Sequence, residues 1–135
     1  MISVAEQLAT LEAAVASRVL DQLCRDHRVE LLVQFGSSVR AEDPGDIDLA
    51  VAFEHDSEAD LLVFMDALAD LLPGDHLDVM DLDHAGPVAR HRALTDCRVI
   101  FARIPAAFFE RQIFAINHYI ETQPLRDALL RILAS

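Results

Sequence analysis

Residues 36–51 read GSSVRAEDPGDIDLAV, and this stretch decides the fold of the chain around it. Its Asp-Ile-Asp step opens an apolar run, which predicts a β-strand over residues 46–53. Residues i and i+2 of a strand point to the same face, so Asp46 and Asp48 point the same way. Two carboxylates held that close repel each other unless a cation lies between them. The stretch therefore predicts a cation-binding strand edge.

A third carboxylate follows in the next apolar run, residues 76–82, which read HLDVMDL. Strand alternation places Asp78 and Met80 on one face and Asp81 on the other, so Asp78 is the candidate that joins the first two aspartates. Asp81 then belongs to a solvated acidic rim. Three carboxylates on neighbouring strands suit Mg²⁺, which takes oxygen ligands, typically one or two carboxylates together with substrate phosphates.

A Gly36-Ser37 turn lies just upstream and can supply backbone N–H groups to phosphate oxygens. Carboxylates for Mg²⁺ and a turn for phosphates together indicate nucleotidyl transfer. Each signal alone is weak, because paired acidic residues at a strand edge are common. The order of the parts carries the prediction: strand, Gly-Ser, a short connector, Asp-x-Asp on a second strand, a helix, and an aspartate on a third strand.

The rest of the pattern predicts an α/β (α+β) fold with a small mixed β-sheet flanked by helices. Proline and glycine set several of the boundaries, and Pro124 is expected to break the last helical segment. The predicted strands cover residues 29–35, 46–53, 77–82 and 98–102, and the predicted helices cover residues 2–26, 57–72, 87–94 and two segments between about 106 and 135.

Composition limits the function further. At 135 residues with 53% hydrophobic residues, the chain is expected to form one domain with a real core. Its formal charge of -12 disfavours binding to nucleic acid, which depends on cationic side chains that neutralise phosphates. Cys24 and Cys97 are far apart and are expected to be reduced thiols. No signal peptide or membrane span is predicted, so we expect a cytoplasmic protein without membrane contact.

Four elements of the sequence resemble the nucleotidyltransferase superfamily of the DNA polymerase β type. They are Gly36-Ser37, Arg40 three positions after the serine, the DIDL of residues 46–49 and the LDVMDL of residues 77–82. Within that superfamily the chain looks most like the minimal nucleotidyltransferases (MNT proteins), which are antitoxin partners of HEPN toxins. The resemblance extends over about residues 28–130. Two departures stand out: the connector before Asp-x-Asp is short, and Asp96 stands where the family often has glycine.

The resemblance implies a polymerase β-like fold with C-terminal helices in a single nucleotidyltransferase domain, residues 1–135. Its parts would be an N-terminal helix over 1–27, a catalytic core over 28–103 and C-terminal helices over 104–135.

The resemblance also implies roles for the site residues. Asp46 and Asp48 would bind two Mg²⁺ ions, and Asp78 would bind only the second, on the side of the acceptor hydroxyl. Gly36 and Ser37 would hold the β- and γ-phosphates of ATP. Arg40 has two readings that the sequence leaves open, a phosphate contact or a surface salt bridge.

The implied function is transfer of AMP from ATP to a hydroxyl, expected to be that of a tyrosine, on a cognate HEPN toxin. The chain would thereby act as an antitoxin and form a hetero-oligomer with the toxin. Two alternatives stay open. One is a non-catalytic antitoxin that neutralises its partner by binding. The other is transfer to a small molecule, as in aminoglycoside-modifying relatives, which usually carry an additional helical domain.

Overall fold

The computed structural model describes all residues, 1–135, and contains six helices and four strands. The strands are β1 (Val29–Phe35), β2 (Ile47–Phe53), β3 (Leu77–Asp81) and β4 (Cys97–Ala102). The helices are α1 (Val4–Ala16), α2 (Val19–Asp26), α3 (Ser37–Arg40), α4 (Leu61–Leu71), α5 (Pro87–Thr95) and α6 (Pro105–Ala134). None of these helices combines the length and the apolar character that crossing a membrane requires.

The four strands form one mixed sheet in the order β3-β2-β1-β4, which confirms the predicted architecture. β1 lies between β2 and β4 and is antiparallel to both. β2 and β3 run parallel, because the chain returns through α4 before it enters β3. This parallel pair brings the first residues of β2 and of β3 to the same edge of the sheet.

The sheet separates two hydrophobic clusters. One cluster packs α1, α2 and α4 against the face of β2 that carries Ile47, Leu49 and Val51. The other packs α5 and α6 against the opposite face, where Ala50 and Ala52 are fully buried. Burying one Val, Leu or Ile side chain contributes about 1.5–3 kcal/mol relative to leaving it exposed. The alternation along β2 therefore fixes its register, and Asp48 faces the side of α5 and α6.

The predicted single helix over residues 2–26 is wrong, because the chain forms α1 and α2 with a break between them. Arg18 at the break has a φ of 67°, the left-handed conformation that ends a helix. The change in direction lets Leu20 and Cys24 of α2 bury completely against the sheet cluster. Local propensity favoured continuation, and tertiary packing favoured the turn.

The predicted break at Pro124 is also wrong, since α6 continues through that residue to Ala134. Proline lacks an N–H, so one carbonyl of the preceding turn loses its helical partner. Pro124 is exposed, so that carbonyl remains open to solvent. The side chain of Arg126 also donates to the carbonyl of Tyr119 at 2.9 Å, which satisfies a neighbouring acceptor. A single lost bond on the solvent side does not end the helix.

Two smaller differences concern loops. The polar connector after β1 contains one short helical turn, α3. The helix predicted over 57–72 begins later, at Leu61, because Asp60 caps it: its carboxylate accepts the backbone N–H groups of Leu62 and Val63 at 2.9 and 3.3 Å.

Candidate active site

Asp48 and Asp78 lie directly opposite each other on β2 and β3. They are paired positions of the parallel ladder, and Phe35 of β1 is the partner of Asp48 on its other side. Both aspartates line an open cavity of about 380 Å³ beneath α5, together with Phe35, Met80 and Arg92. The fold thus brings together two of the three predicted carboxylates at the edge of one cavity.

The third predicted carboxylate, Asp46, lies just before β2 and is exposed. Burial raises the pKa of the Asp48 carboxyl, and the charge of Asp78 raises it further, whereas Arg92 lowers it and Asp46 raises it again. Both neighbouring aspartates therefore act on Asp48 electrostatically. Burial, followed by the charges of these two aspartates, therefore disfavours the ionised form of the Asp48 carboxyl.

The donor chemistry of these residues bears on whether they suit a divalent cation. No histidine, cysteine, aspartate and glutamate side chains gather into a group of three or more that could hold a metal ion. Asp48 and Asp78 nevertheless present opposed carboxylates, the ligands that Mg²⁺ prefers. A cation between them would relieve the repulsion that raises the pKa of Asp48. The residues present fit a hard divalent cation held by Asp48 and Asp78, with Asp46 next to them.

Gly36 fits closely against this carboxylate. Its backbone has φ 75° and ψ -155°, a conformation that is essentially restricted to glycine. A Cβ at this position would lie 2.4 Å from Oδ2 of Asp48, closer than any real contact. The glycine therefore allows the end of β1 to turn into α3 directly beside the carboxylate, which explains why Gly36 precedes Ser37 here.

A second open cavity of about 360 Å³ adjoins the first and is lined by Gly36, Ser37, Arg40, Ala41 and Arg92. Ser37 is exposed there. Arg40 forms an ion pair with Asp96, the residue that precedes β4. Of the two readings that the sequence left open for Arg40, the structure contains the salt bridge.

Arg92 of α5 was missed in the sequence prediction of the site, although it lines both cavities. Its guanidinium lies over the ring of Phe35, with Cζ 5.8 Å from the ring centroid. In the sequence, the only indication of a basic residue at the site was that arginines occupy positions 90 and 92. Arg90 turns the other way and donates to the carbonyls of Leu82 and Ala85 at 3.0 and 2.9 Å. Only the packing of α5 shows which arginine faces the aspartates.

The arrangement as a whole suits a phosphorylated ligand. It provides carboxylates for a cation on one side and a glycine-serine turn on the other, with an arginine between them. Hard cations and guanidinium groups are the two partners that proteins use to bind polyphosphates.

Residues 19–105 match the family described as Polymerase beta, Nucleotidyltransferase, and this span contains both cavities. No curated protein matches the chain. Among solved structures, a chain of a toxin-antitoxin complex with AMP-PNP has a TM-score of 0.70 at 22% identity, with 86% of this chain and 96% of that chain covered.

Two further solved structures are similar at the same level. A chain of the complex between tri-AMPylated Shewanella oneidensis HEPN toxin and MNT antitoxin has a TM-score of 0.68 at 21% identity, with 91% of this chain and 98% of that chain covered. A chain of the MntA-HepT toxin-antitoxin complex has a TM-score of 0.68 at 21% identity, with 91% and 99% covered. At these identities the likeness establishes a shared fold.

Proposed function

Because the chain belongs to the polymerase β nucleotidyltransferase family, we propose that it transfers the AMP unit of ATP to a tyrosine hydroxyl of a HEPN-type toxin and thereby acts as its antitoxin. One observation carries the proposal: Asp48 and Asp78 face each other across β2 and β3 with their charges uncompensated by any ion pair. Asp78 is exposed and Asp48 is half-buried, and the pair lines an open cavity next to a glycine-serine turn.

The transfer step is a displacement at the α-phosphorus. The acceptor hydroxyl loses its proton to solvent and its oxygen forms a bond to the α-phosphorus, while the bond from that phosphorus to the bridging oxygen breaks and pyrophosphate leaves with the bonding electron pair. Two bound Mg²⁺ ions would supply neutralisation of the triphosphate charge and a lower pKa for the acceptor hydroxyl. Asp46 and Asp48 would hold these ions, Asp78 would hold the one on the acceptor side, and Gly36 and Ser37 would hold the β- and γ-phosphates.

A protein acceptor is supported by the solved structures with the same fold. One of them contains a tri-AMPylated HEPN toxin with an MNT antitoxin, and another contains AMP-PNP. The surface of the present chain also suits a protein partner, because α6 exposes a series of large apolar side chains. They include Phe109, Ile113, Ile120, Leu125, Leu129 and Leu133. Large exposed apolar surfaces are typical of protein-protein contacts.

The test is to incubate the purified chain with ATP, Mg²⁺ and the HEPN protein encoded beside it, and to weigh the HEPN protein afterwards. We expect the mass of the HEPN protein to increase by one or more AMP units, and peptide mapping to place them on tyrosine. Replacing Asp48 by Asn should reduce the rate by several orders of magnitude, because it removes a carboxylate from the proposed ion site. Withholding Mg²⁺ should do the same.

Asp81→Asn is the matched control, because Asp81 lies on β3 at the other end of the β2-β3 pair and accepts a hydrogen bond from His84 at 2.7 Å. It should leave the transfer rate within about twofold, as expected for a change away from the site. If the HEPN protein gains no mass, or gains it equally with Asp48→Asn, the enzymatic proposal is wrong. Neutralisation of the toxin that survives in Asp48→Asn would then favour an antitoxin that acts by binding alone.

A further inference from the structure

The chain has no lysine, and eight of its eleven arginines have a side-chain or backbone partner. Ion pairs to carboxylates occupy Arg18, Arg28, Arg40, Arg98, Arg103 and Arg111. Arg90 and Arg126 donate to backbone carbonyls. In a chain with 23 acidic residues against 11 arginines, carboxylates are abundant, and three arginines have no polar partner. Arg92 is such an arginine, and it lies at the site.

The position of Arg92 distinguishes it from Arg25 and Arg131, which also lack polar partners. Arg92 is the one residue that lines both the cavity of Asp48 and Asp78 and the cavity of Gly36 and Ser37. Stacking over the Phe35 ring restricts its aliphatic stem and leaves its N–H donors free. Because Phe35 is almost fully buried on β1, this platform is rigid.

We propose that Arg92 binds the polyphosphate of the nucleotide and spans it from the carboxylate cavity to the glycine-serine cavity. The inference rests on the proposed function, because it takes ATP as the ligand. It assigns to Arg92 the phosphate contact for which Arg40 was the other candidate, since Arg40 is held by Asp96.

Charge and shape both support a phosphate ligand. The formal charge of -12 repels a nucleotide triphosphate, so binding requires local cations as well as Mg²⁺. A guanidinium presents its N–H donors in a planar fork that matches two phosphate oxygens. Asp48 forms no ion pair with the guanidinium of Arg92, although both residues line the same cavity. The N–H donors of the exposed Arg92 side chain are therefore available to an external anion.

The experiment measures binding of ATP in the presence of Mg²⁺ by calorimetry, with inorganic tripolyphosphate as competitor. Hydrogen bonds to a charged group contribute about 1.5–3 kcal/mol, so Arg92→Ala should weaken ATP binding about 10- to 100-fold. Tripolyphosphate affinity should fall by a similar factor, and the KM for ATP in AMP transfer should rise with it. Arg92→Lys should recover part of the loss, since it keeps the charge without the fork.

Arg25→Ala is the matched control, because the guanidinium of Arg25 also stacks over a ring, that of Phe101 at 5.2 Å, on a helix of the opposite face. It should bind ATP as the unaltered chain does. Equal ATP affinity in Arg92→Ala and the unaltered chain would overturn the inference, and so would a loss confined to kcat. If Arg92→Ala does not fold, the same criteria apply to Arg92→Gln.

The inference and the proposed function can fail separately. If tripolyphosphate binding depends on Arg92 while no HEPN protein gains AMP, Arg92 stands as a phosphate-binding residue and the transfer proposal falls. If AMP transfer proceeds equally well in Arg92→Ala, with an unchanged KM for ATP, the transfer proposal stands and the role of Arg92 falls.

Discussion

Acidic side chains lie near both ends of β2, but they form ion pairs at only one of these two positions. Where β2 begins, Asp48 lies opposite Asp78 and neither forms an ion pair. Beyond the end of β2, Glu30 and Asp83 share the guanidinium of Arg111 at 3.3 and 2.8 Å. The sheet thus neutralises Glu30 and Asp83 at one end and leaves Asp48 and Asp78 without an ion pair at the other. We infer that the pairs at the far end hold the fold together, whereas the site end keeps its charge for a ligand.

The pKa shifts express the same contrast. Burial lowers the pKa of Arg111, but its hydrogen bonds to Glu30 and Asp83 outweigh burial and raise it. That shift marks an ion pair which stabilises the folded state. Burial and Asp78 together raise the pKa of Asp48 although Arg92 lowers it, which marks a charge that the folded state compensates only in part. Uncompensated charges in clefts are typical of functional sites.

The largest effect on stability is expected from removing the guanidinium of Arg111, the cation that neutralises Glu30 and Asp83. Arg111→Met keeps an unbranched stem of similar length but removes the guanidinium, which leaves Glu30 and Asp83 without their partner. Removing one member of a buried ion pair costs about 3–5 kcal/mol. We expect about 2–3 kcal/mol less free energy of unfolding, between the values for buried and exposed pairs, because Glu30 and Asp83 keep side-chain exposures of 23% and 39%. Urea denaturation measures the loss.

Arg18→Met serves as the comparison, because Arg18 pairs with Asp21 on the surface, where the arginine side chain is 82% exposed. Exposed pairs contribute about 0–1 kcal/mol, so this variant should lose no more than that. Each variant should transfer AMP normally per folded molecule. A loss of activity in Arg111→Met at full folding would contradict the assignment of the far end to stability alone.

The second test acts on the backbone of the site end. Gly36→Ala places a Cβ where Oδ2 of Asp48 lies, in a conformation that alanine adopts only under strain. Such strain costs about 1–3 kcal/mol, so we expect about 2 kcal/mol less stability. Because Asp48 must move, AMP transfer should also fall at temperatures where the variant remains folded. Thermal unfolding and transfer assays on the same samples separate these two effects.

Gly45→Ala is the control in the same connector, because a Cβ there meets nothing within 4 Å. Its stability should change by less than about 0.5 kcal/mol, as for other surface substitutions. If Gly36→Ala proved as stable and active as Gly45→Ala, the close packing of Gly36 on Asp48 would have no functional importance.

The sequence predicted the site end better than the far end for a physical reason. Asp48 and Asp78 begin strands, and strand alternation alone fixes which way they point. The mixed sheet and the polymerase β-like fold predicted from these motifs are confirmed. The ion pair of Arg111 with Glu30 joins residues 81 positions apart, and no local sequence pattern predicts it.

The features that the sequence missed all depend on tertiary packing. The left-handed turn at Arg18 follows from how α2 packs on the sheet. The continuity of α6 through Pro124 follows from the exposure of that proline. The role of Arg92 depends on which face of α5 meets the sheet. The ion pair of Arg40 with Asp96 joins two loops that only the folded sheet brings together.

The smallest expected effect on stability comes from Asp48→Asn, and it measures the unpaired charge of Asp48 most directly. Asp48→Asn removes a carboxylate whose pKa is raised, so it should stabilise the protein while it abolishes transfer. In the unaltered chain the native state binds more protons than the unfolded state between the ordinary pKa of aspartate and the raised one. Stability therefore falls as pH rises through that window, and the penalty is complete above it.

The gain in unfolding temperature of Asp48→Asn over the unaltered chain should thus be small below pH 4 and grow to a few degrees at neutral pH, in buffer with a chelator. Asp81→Asn should have the opposite sign, because Asp81 accepts hydrogen bonds from His84 and from the backbone of Asp83. Adding Mg²⁺ should raise the unfolding temperature of the unaltered chain more than that of Asp48→Asn, since a cation that binds the native carboxylates stabilises by mass action. A fall in stability for Asp48→Asn in the absence of Mg²⁺ would mean that Asp48 is already compensated, and the contrast between the two ends of β2 would then disappear.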